Sequence, residues 1–300
     1  MSRSILVTGA TGRQGGSVVQ ALQDSDFEVL ALTRTTSSPS AQKLVSKFPS
    51  VKLVQGDLIN ASAIFEEAAK VARTPVWGVF SVQAKVSGAD KSPEEIQGKS
   101  IIDAALAANV KFFVYSSVDR GGAKSSSNPT SVPHWITKYN IEKYLEEKAA
   151  GTQMHYSVLR PVAFMDGVTN DFQGKAMAAM WRDEMKDRPL QMVATKDIGW
   201  FAAHAFKNSD DFAGQYISLA GAQITFAQAN AIFREKFSKD LPTTYGLVAG
   251  LMLHLIKDIN LMFKWLKKEG TAANISELKR INPQLTDFGT WLERDSTFRV

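Results

Sequence analysis

The sequence of 300 residues contains no cysteine, which excludes disulfide bonds, thiolate catalysis and zinc sites with cysteine ligands. Its four histidines, at positions 134, 155, 204 and 254, have no metal-ligand spacing, so we expect no metal site. Long apolar runs are also missing. The first apolar run, residues 5–7, is too short for a signal peptide. The longest later apolar stretch, residues 245–256, falls short of the ~20 residues that a membrane-spanning helix needs. We therefore expect a soluble, cytoplasmic protein without a membrane span.

Charge of one sign is not concentrated anywhere in the sequence. Lys and Arg total 35 and Asp and Glu total 30, a net charge of +5 with no Lys/Arg block. A mild, dispersed positive charge suits an anionic ligand and gives no reason to expect direct nucleic-acid binding. We therefore expect a small-molecule substrate as the partner.

The first half of the sequence alternates short apolar runs with helical patterns. The runs predict strands at residues 4–8, 28–33, 52–55, 76–82, 112–116 and 155–159. Helical patterns fill the gaps, for example at residues 14–23, 61–72 and 93–108. This alternation is typical of parallel strands joined by right-handed crossovers, and it predicts an α/β fold with a Rossmann-type doubly wound parallel sheet.

After residue 160 the alternation weakens. Helical patterns at residues 225–237 and 245–268 predict a smaller, mostly helical C-terminal domain. We assign residues 1–160 to the sheet domain, with later segments able to return to the sheet, and residues 161–300 to a region that covers the substrate cleft. The apolar stripe of residues 245–268 could instead lie on a membrane surface or on a partner subunit.

A glycine motif in ILVTGATGRQGG follows the first predicted strand and begins a helix. Gly9 permits the tight turn, Gly12 lets a pyrophosphate approach the backbone, and Gly15 allows close packing of helix and strand. The helix start adds free N–H groups and a positive dipole end. A tight turn without a ligand is the alternative, but the strand–glycine–helix order favours dinucleotide binding. The loop's other expected contacts are Thr11, Arg13 and Gln14.

The end of the second predicted strand distinguishes NADP from NAD. An NAD site has an acid there for the ribose 2′-hydroxyl, whereas an NADP site has a cation for the 2′-phosphate. The sequence reads LALTRTT, with Arg34 and no acid, so we expect NADP. Arg34 could instead be a solvated surface residue. After the third strand, Asp57 is placed to accept a hydrogen bond from the adenine amino group, and Leu58 beside it is a further expected cofactor contact.

Two pairs of residues in VPHWITKYNIEKY share a four-residue spacing, His134 with Lys138 and Tyr139 with Lys143. We predict a helix that starts at Pro133 and turns by about 100° per residue. Its apolar arc is formed by Trp135, Ile141, Leu145 and Ala149. His134 and Lys138 fall inside this arc, whereas Lys143 lies about 140° from Lys138 on the polar side. The phase predicts that Lys138 faces inwards and Lys143 does not.

Motifs along essentially the whole chain resemble the NmrA-like family of atypical short-chain dehydrogenases. They are VTGATGRQGGSVV, GDL, PHWITKYNIEKYL, LRPVAFMDGV, KDIGWFAAHAF, YISLAGAQITFAQA and INPQLTDFGTWL. The resemblance implies an NADP-binding Rossmann domain, a small C-terminal domain and a cleft between them. It also implies either a reductase of small, often aromatic or polyketide-like substrates or a regulator that senses the NADP(H) ratio.

The same resemblance assigns roles to residues near the predicted cleft. Lys138 takes the place of the lysine that bonds the nicotinamide ribose, and His134 stands where short-chain dehydrogenases carry the catalytic tyrosine. His134 is then a proton donor or a helix-start residue bonded to backbone. Ser116 and Ser117 stand where these folds place a substrate-polarising hydroxyl, with Ser117 preferred. The remaining expected cofactor contacts are Val82, Gln83, Pro161, Val162 and Phe164.

These residues favour an NADPH-dependent oxidoreductase that acts on a small, fairly apolar carbonyl or enone substrate. A non-catalytic NADP(H)-binding regulator is the alternative, because no tyrosine stands on the inward face beside Lys138. A cofactor-bound cyclase or isomerase is a weaker alternative. A homodimer or a regulatory protein partner is compatible with these readings.

Overall fold

Two β-sheets and thirteen α-helices are present in the computed structural model, which describes residues 2–83 and 92–299. The strands are β1 (Ser4–Val7), β2 (Glu28–Thr33), β3 (Lys52–Gln55), β4 (Val76–Ser81), β5 (Phe112–Ser116), β6 (His155–Pro161), β7 (Ala163–Phe164), β8 (Leu190–Val193), β9 (Tyr216–Leu219) and β10 (Ala222–Ile224). The first seven helices are α1 (Arg13–Ala21), α2 (Pro39–Lys47), α3 (Ala61–Val71), α4 (Ser92–Ala107), α5 (Pro133–Ala149), α6 (Phe172–Met180) and α7 (Thr195–Lys207). The others are α8 (Ser209–Phe212), α9 (Phe226–Phe237), α10 (Gly246–Leu255), α11 (Lys257–Lys268), α12 (Ile275–Ile281) and α13 (Phe288–Arg294).

The larger sheet has the strand order β3-β2-β1-β4-β5-β6-β9, and the five pairs among its first six strands are parallel. All residues of β1, β2 and β5 are buried, because helices cover both faces of such a sheet. The chain order reverses next to β1, so a crevice forms outside the carboxyl ends of β1 and β4. The predicted doubly wound α/β fold is confirmed.

The described chain forms two compact units. The first comprises the residues up to Ser117 together with Thr137–Arg160 and Lys196–Ile217, and its core packs helices α3, α4 and α5 on the large sheet. The second comprises Val118–Ile136, Pro161–Thr195 and the residues from Ser218 onwards. Its core contains four tryptophans, which are Trp135, Trp181, Trp265 and Trp291. The small sheet, with the order β10-β8-β7, belongs to the second unit.

The single helix predicted over residues 245–268 is two helices. The joint is Ile256, whose φ of −106° and ψ of 84° are not helical. Beyond it, the side-chain amide of Asn260 donates to the carbonyl of Leu253 at 3.2 Å and so satisfies one of the last carbonyls of α10. The joint contains neither glycine nor proline, so the sequence pattern does not reveal it. Of the helices that the structure describes, none combines the length and hydrophobicity needed to span a bilayer.

Candidate nucleotide-binding site

The glycine loop joins β1 to α1. A Cβ added at two of its glycines would lie at different distances from the backbone atoms nearby. A Cβ on Gly15 would lie 2.3 Å from the carbonyl oxygen of Gly9 and 2.6 Å from that of Thr8. A Cβ on Gly12 would lie 3.2 Å from the Gly9 oxygen, with no closer neighbour. Gly9 itself has a φ of +60°, in the left-handed region that favours glycine. The fold therefore requires Gly9 and Gly15, whereas Gly12 leaves the backbone accessible.

Hydrogen bonds hold this loop against the carboxyl ends of two neighbouring strands. The Thr8 hydroxyl donates to the carbonyl of Val82 at 2.8 Å and accepts from the Val82 N–H at 2.7 Å. The Ser116 hydroxyl donates to Oε1 of Gln14 at 2.7 Å. The structure thus brings the loop, Val82 and Ser116 together, as expected for the edge of a parallel sheet where ligands bind.

The start of α1 has the properties of an anion site. Gly12 precedes the helix and makes no side-chain capping bond, and the first turn contains no acidic residue. The positive end of the helix dipole is therefore not compensated by a side chain of the first turn. A pyrophosphate group fits this position, because it would accept from the N–H groups at the helix start.

Arg34 follows β2 directly and is exposed. Within residues 2–83 and 92–299 its guanidinium makes no hydrogen bond or ion pair, so it remains available to an anionic group. Asp57 is also exposed, but its Oδ1 accepts from the N–H of Ile59 at 3.0 Å and caps a short 3₁₀ turn that begins at Leu58. Its role towards an adenine group stays a prediction.

Gln83 is buried just after β4. Its amide nitrogen donates to the Ser81 hydroxyl at 2.9 Å. Its Oε1 is buried and receives no hydrogen bond from the described part of the chain. A buried acceptor in this state favours a ligand that carries a donor.

Lys138 and Lys143 differ in exposure on α5. The side chain of Lys138 is 17% exposed and its Nζ lies 3.0 Å from Oε1 of Glu94, whereas the side chain of Lys143 is 39% exposed and pairs with Glu146. The residues of the predicted apolar arc are all buried, as the helix phase predicts. Glu94 was not predicted from the sequence, because it is 44 positions away on α4 and no local pattern links it to Lys138.

His134, near the start of α5, belongs to the second unit. Its Nδ1 lies 2.9 Å from Oδ1 of Asp258, an acidic residue in the first turn of α11, and both side chains are half-buried. Asp258 could not be predicted as a partner of His134 from the sequence, because it is 124 residues away along the chain. A carboxylate at Nδ1 fixes the ring orientation of a histidine, which suits acid–base chemistry at the other nitrogen.

The other predicted residues fall in both units. Ser117 is buried in the first unit, and its N–H donates to the carbonyl of Leu159 at 2.8 Å. Pro161, Val162 and Phe164 lie in the second unit, where β7 pairs with β8.

Comparison with known proteins assigns the chain to a family. The model of the NmrA-like family matches residues 1–292. The chain belongs to the NmrA-like family. An NmrA-like family domain-containing protein of Dictyostelium discoideum is 27% identical over 265 residues, which are 82% of this chain and 83% of that protein. An NmrA-like family domain-containing oxidoreductase of Cladobotryum sp. is 34% identical over 153 residues, which are 48% of this chain and only 42% of that relative.

Solved structures of other proteins share the NmrA-like fold. The triphenylmethane reductase of Citrobacter sp., complexed with NADP(H), superimposes with a TM-score of 0.73 at 18% identity, over 97% of this chain and 99% of that one. NmrA, a negative transcriptional regulator, complexed with NADP, gives a TM-score of 0.71 at 17% identity, over 98% of this chain and 95% of that one. Identities this low establish the fold alone.

Proposed function

We propose that this NmrA-like protein is an NADPH-dependent oxidoreductase that reduces a small, fairly apolar carbonyl or enone substrate. The observation that carries the proposal is the uncapped start of α1 behind the glycine loop, together with Arg34 at the end of β2. The first feature suits a pyrophosphate, and the second suits the 2′-phosphate that distinguishes NADP from NAD.

The comparisons support an oxidoreductase that uses NADP(H), but they show no substrate for this chain. The Cladobotryum relative is an oxidoreductase, and the Citrobacter reductase was crystallised with NADP(H). In both cases the activity is that of the other protein. The substrate class proposed for this chain is the sequence-based expectation of a small, apolar molecule.

Each proposed catalytic residue has a separate task. When bound, NADPH supplies a hydride. The Lys138 ammonium donates hydrogen bonds to the sugar hydroxyls, and the Ser117 hydroxyl donates to the substrate carbonyl oxygen, where negative charge develops. The His134 imidazole donates the proton that, with the hydride, completes the reduction of a carbonyl to an alcohol or of an enone to the saturated ketone. Asp258 holds that imidazole through Nδ1.

The test is NADPH oxidation by the purified protein with a panel of aromatic and aliphatic carbonyl and enone compounds. We expect turnover with at least one compound and a lower rate with NADH. The variant Ser117→Ala keeps the glycine loop and removes the polarising hydroxyl, so we expect it to bind NADPH normally and to lose turnover. Tight NADPH binding without turnover across the panel would contradict the catalytic proposal.

A redox-sensing regulator is the second candidate function. The observation that favours it is that the inward-facing histidine and lysine of α5 each contact a carboxylate, and no tyrosine stands at the position of His134. A sensor needs different affinities for the oxidised and reduced cofactor. Calorimetric titration with NADP⁺ and NADPH, with a pull-down of partners in each state, tests it. Equal affinities and equal partner recovery would exclude this function.

A further inference from the structure

Glu94 and Lys138 lie near the starts of two successive crossover helices of the first unit. Glu94 is in the first turn of α4, which leads into β5, and Lys138 is in the second turn of α5, which leads into β6. A crossover helix runs opposite to the parallel strands that it joins, so its start lies at their carboxyl edge. Both residues are therefore near the edge where the glycine loop lies and where nucleotides bind to such sheets.

The two helices approach closely one turn beyond the ion pair. A Cβ on Gly98 would lie 2.4 Å from Cδ1 of Ile141, so a larger residue at position 98 would require the Ile141 side chain or the helix to shift. A second contact joins the helices, since the Asn140 amide donates to Glu95 at 2.8 Å. The packing of α4 on α5 thus fixes the position of Glu94 relative to Lys138.

The pair is close and poorly solvated. Lys138 Nζ lies 3.0 Å from Glu94 Oε1, with side-chain exposures of 17% and 7%. Low exposure strengthens the interaction of these charges with each other and with any charge nearby. An ammonium group has three N–H donors, so one bond to Glu94 leaves two donors for sugar hydroxyls.

We propose that Glu94 is a positioning residue that compensates the charge of Lys138 and thereby sets the preference of the site for oxidised or reduced cofactor. This inference rests on the proposed binding of NADP(H). The nicotinamide ring carries a positive charge in NADP⁺ and none in NADPH. An uncompensated ammonium beside the ring repels only the oxidised form, whereas the Glu94 carboxylate cancels that repulsion.

The test compares the dissociation constants of NADP⁺ and NADPH, measured by calorimetry on the full chain. In Glu94→Gln we expect the ratio of the NADP⁺ constant to the NADPH constant to rise roughly three- to tenfold. The matched control is Glu95→Gln, the same change one residue along α4. Glu95 pairs with Lys99 and Asn140 and not with Lys138, so its loss leaves the ratio unchanged.

A second variant reverses the sign of the effect. Lys138→Gln removes the ammonium and leaves the Glu94 carboxylate uncompensated, so the same ratio falls below the wild-type value. A structural defect would weaken the binding of both cofactors together. It would not shift the ratio of their dissociation constants in opposite directions in the two variants. If Glu94→Gln does not fold, the double variant Glu94→Gln/Lys138→Gln decides the question: its ratio lies above that of Lys138→Gln if the Glu94 carboxylate acts on the cofactor, and an equal ratio overturns the inference.

The outcomes separate this inference from the proposed function. Wild-type protein that binds neither cofactor overturns both. Wild-type protein that binds both, with unchanged ratios in the Glu94 and Lys138 variants, overturns only the inference. An equal shift in Glu95→Gln also overturns it, because the effect is then one of net charge and not of the pair.

Discussion

Alanine substitutions at two glycines of the loop are expected to separate folding from cofactor binding. In Gly15→Ala the new Cβ lies 2.3 Å from the Gly9 oxygen, 1.1 Å inside the 3.4 Å at which ordinary contact begins. The obstructing atoms are backbone, so α1 must move away from β1. Overpacking of this kind costs about 1–3 kcal/mol, which corresponds to a fall in Tm of about 2–12 °C.

Gly12→Ala creates a milder contact of 3.2 Å, and the φ of −94° and ψ of 179° at Gly12 suit any residue. The loss of free energy of unfolding is therefore small, about 0.5–1 kcal/mol for alanine at an N-cap position. The Cβ nevertheless projects from the backbone that a pyrophosphate would approach. We expect the NADPH dissociation constant to rise at least about tenfold, the effect of losing about 1.4 kcal/mol.

Thermal unfolding followed by circular dichroism gives the stability of both variants, and fluorescence titration gives their NADPH affinity. The expected pattern is a lower Tm and lost binding in Gly15→Ala, and a nearly wild-type Tm with lost binding in Gly12→Ala. A Gly12→Ala protein that binds NADPH as tightly as the wild type, or a Gly15→Ala protein with unchanged Tm, would refute this reading of the loop.

Three further predictions concern α5, its contact with α4, and α7. His134→Gln should lower turnover about 100-fold or more with unchanged NADPH affinity, because a general acid is lost. Gly98→Ala should cost about 1–3 kcal/mol of unfolding free energy, and adding Ile141→Val, which removes the closest atom, should recover part of it. Burial, and then the neighbouring Lys207, lower the pKa of His204 in the folded protein below 6.5. The His204 imidazole therefore binds a proton more readily in the unfolded chain than in the folded protein. His204 therefore stabilises the fold above that pH, and its contribution is lost as the pH falls through 6.5 towards the folded-state value.

Each of these has a measurement that could contradict it. Unchanged turnover in His134→Gln would remove the proposed donor. If urea unfolding gives Gly98→Ala the same free energy of unfolding as the wild type, the Ile141 side chain moves aside without a measurable loss of stability. His204→Gln should show a weaker loss of stability than wild type between about pH 7.5 and 5.5; parallel pH profiles would show that His204 does not contribute.

Three of the six strands predicted from the first half, β1, β2 and β5, are buried throughout because helices cover both faces of the sheet, and this burial makes them near-continuous apolar runs in the sequence. Phe112–Ser116 illustrates this, since the segment reads FFVYS and all five residues are buried. The short strands of the second unit, such as Ala163–Phe164, carry no such signal. The break at Ile256 was hidden for a related reason: apolar residues continue through it, and the hydrogen bond from Asn260 replaces the usual glycine or proline signal.

The residues of the candidate site also differ in whether the sequence could predict them. The glycine loop and Arg34 are local in sequence, so their pattern alone predicts an anion-binding turn. Glu94 and Asp258 reach their partners only through helix packing, 44 and 124 positions away along the chain. Helix phase could show which side of α5 faces inwards, but it could not show that His134 and Lys138 each meet a carboxylate.

The binding of phosphorylated and unphosphorylated cofactor by the purified chain tests the central claim most directly. We predict that NADPH binds at least about tenfold more tightly than NADH and that Arg34→Gln removes this preference while leaving NADH affinity unchanged, because the guanidinium meets only the 2′-phosphate. Equal affinity for the two cofactors, or an Arg34→Gln protein that still prefers NADPH, would contradict the account.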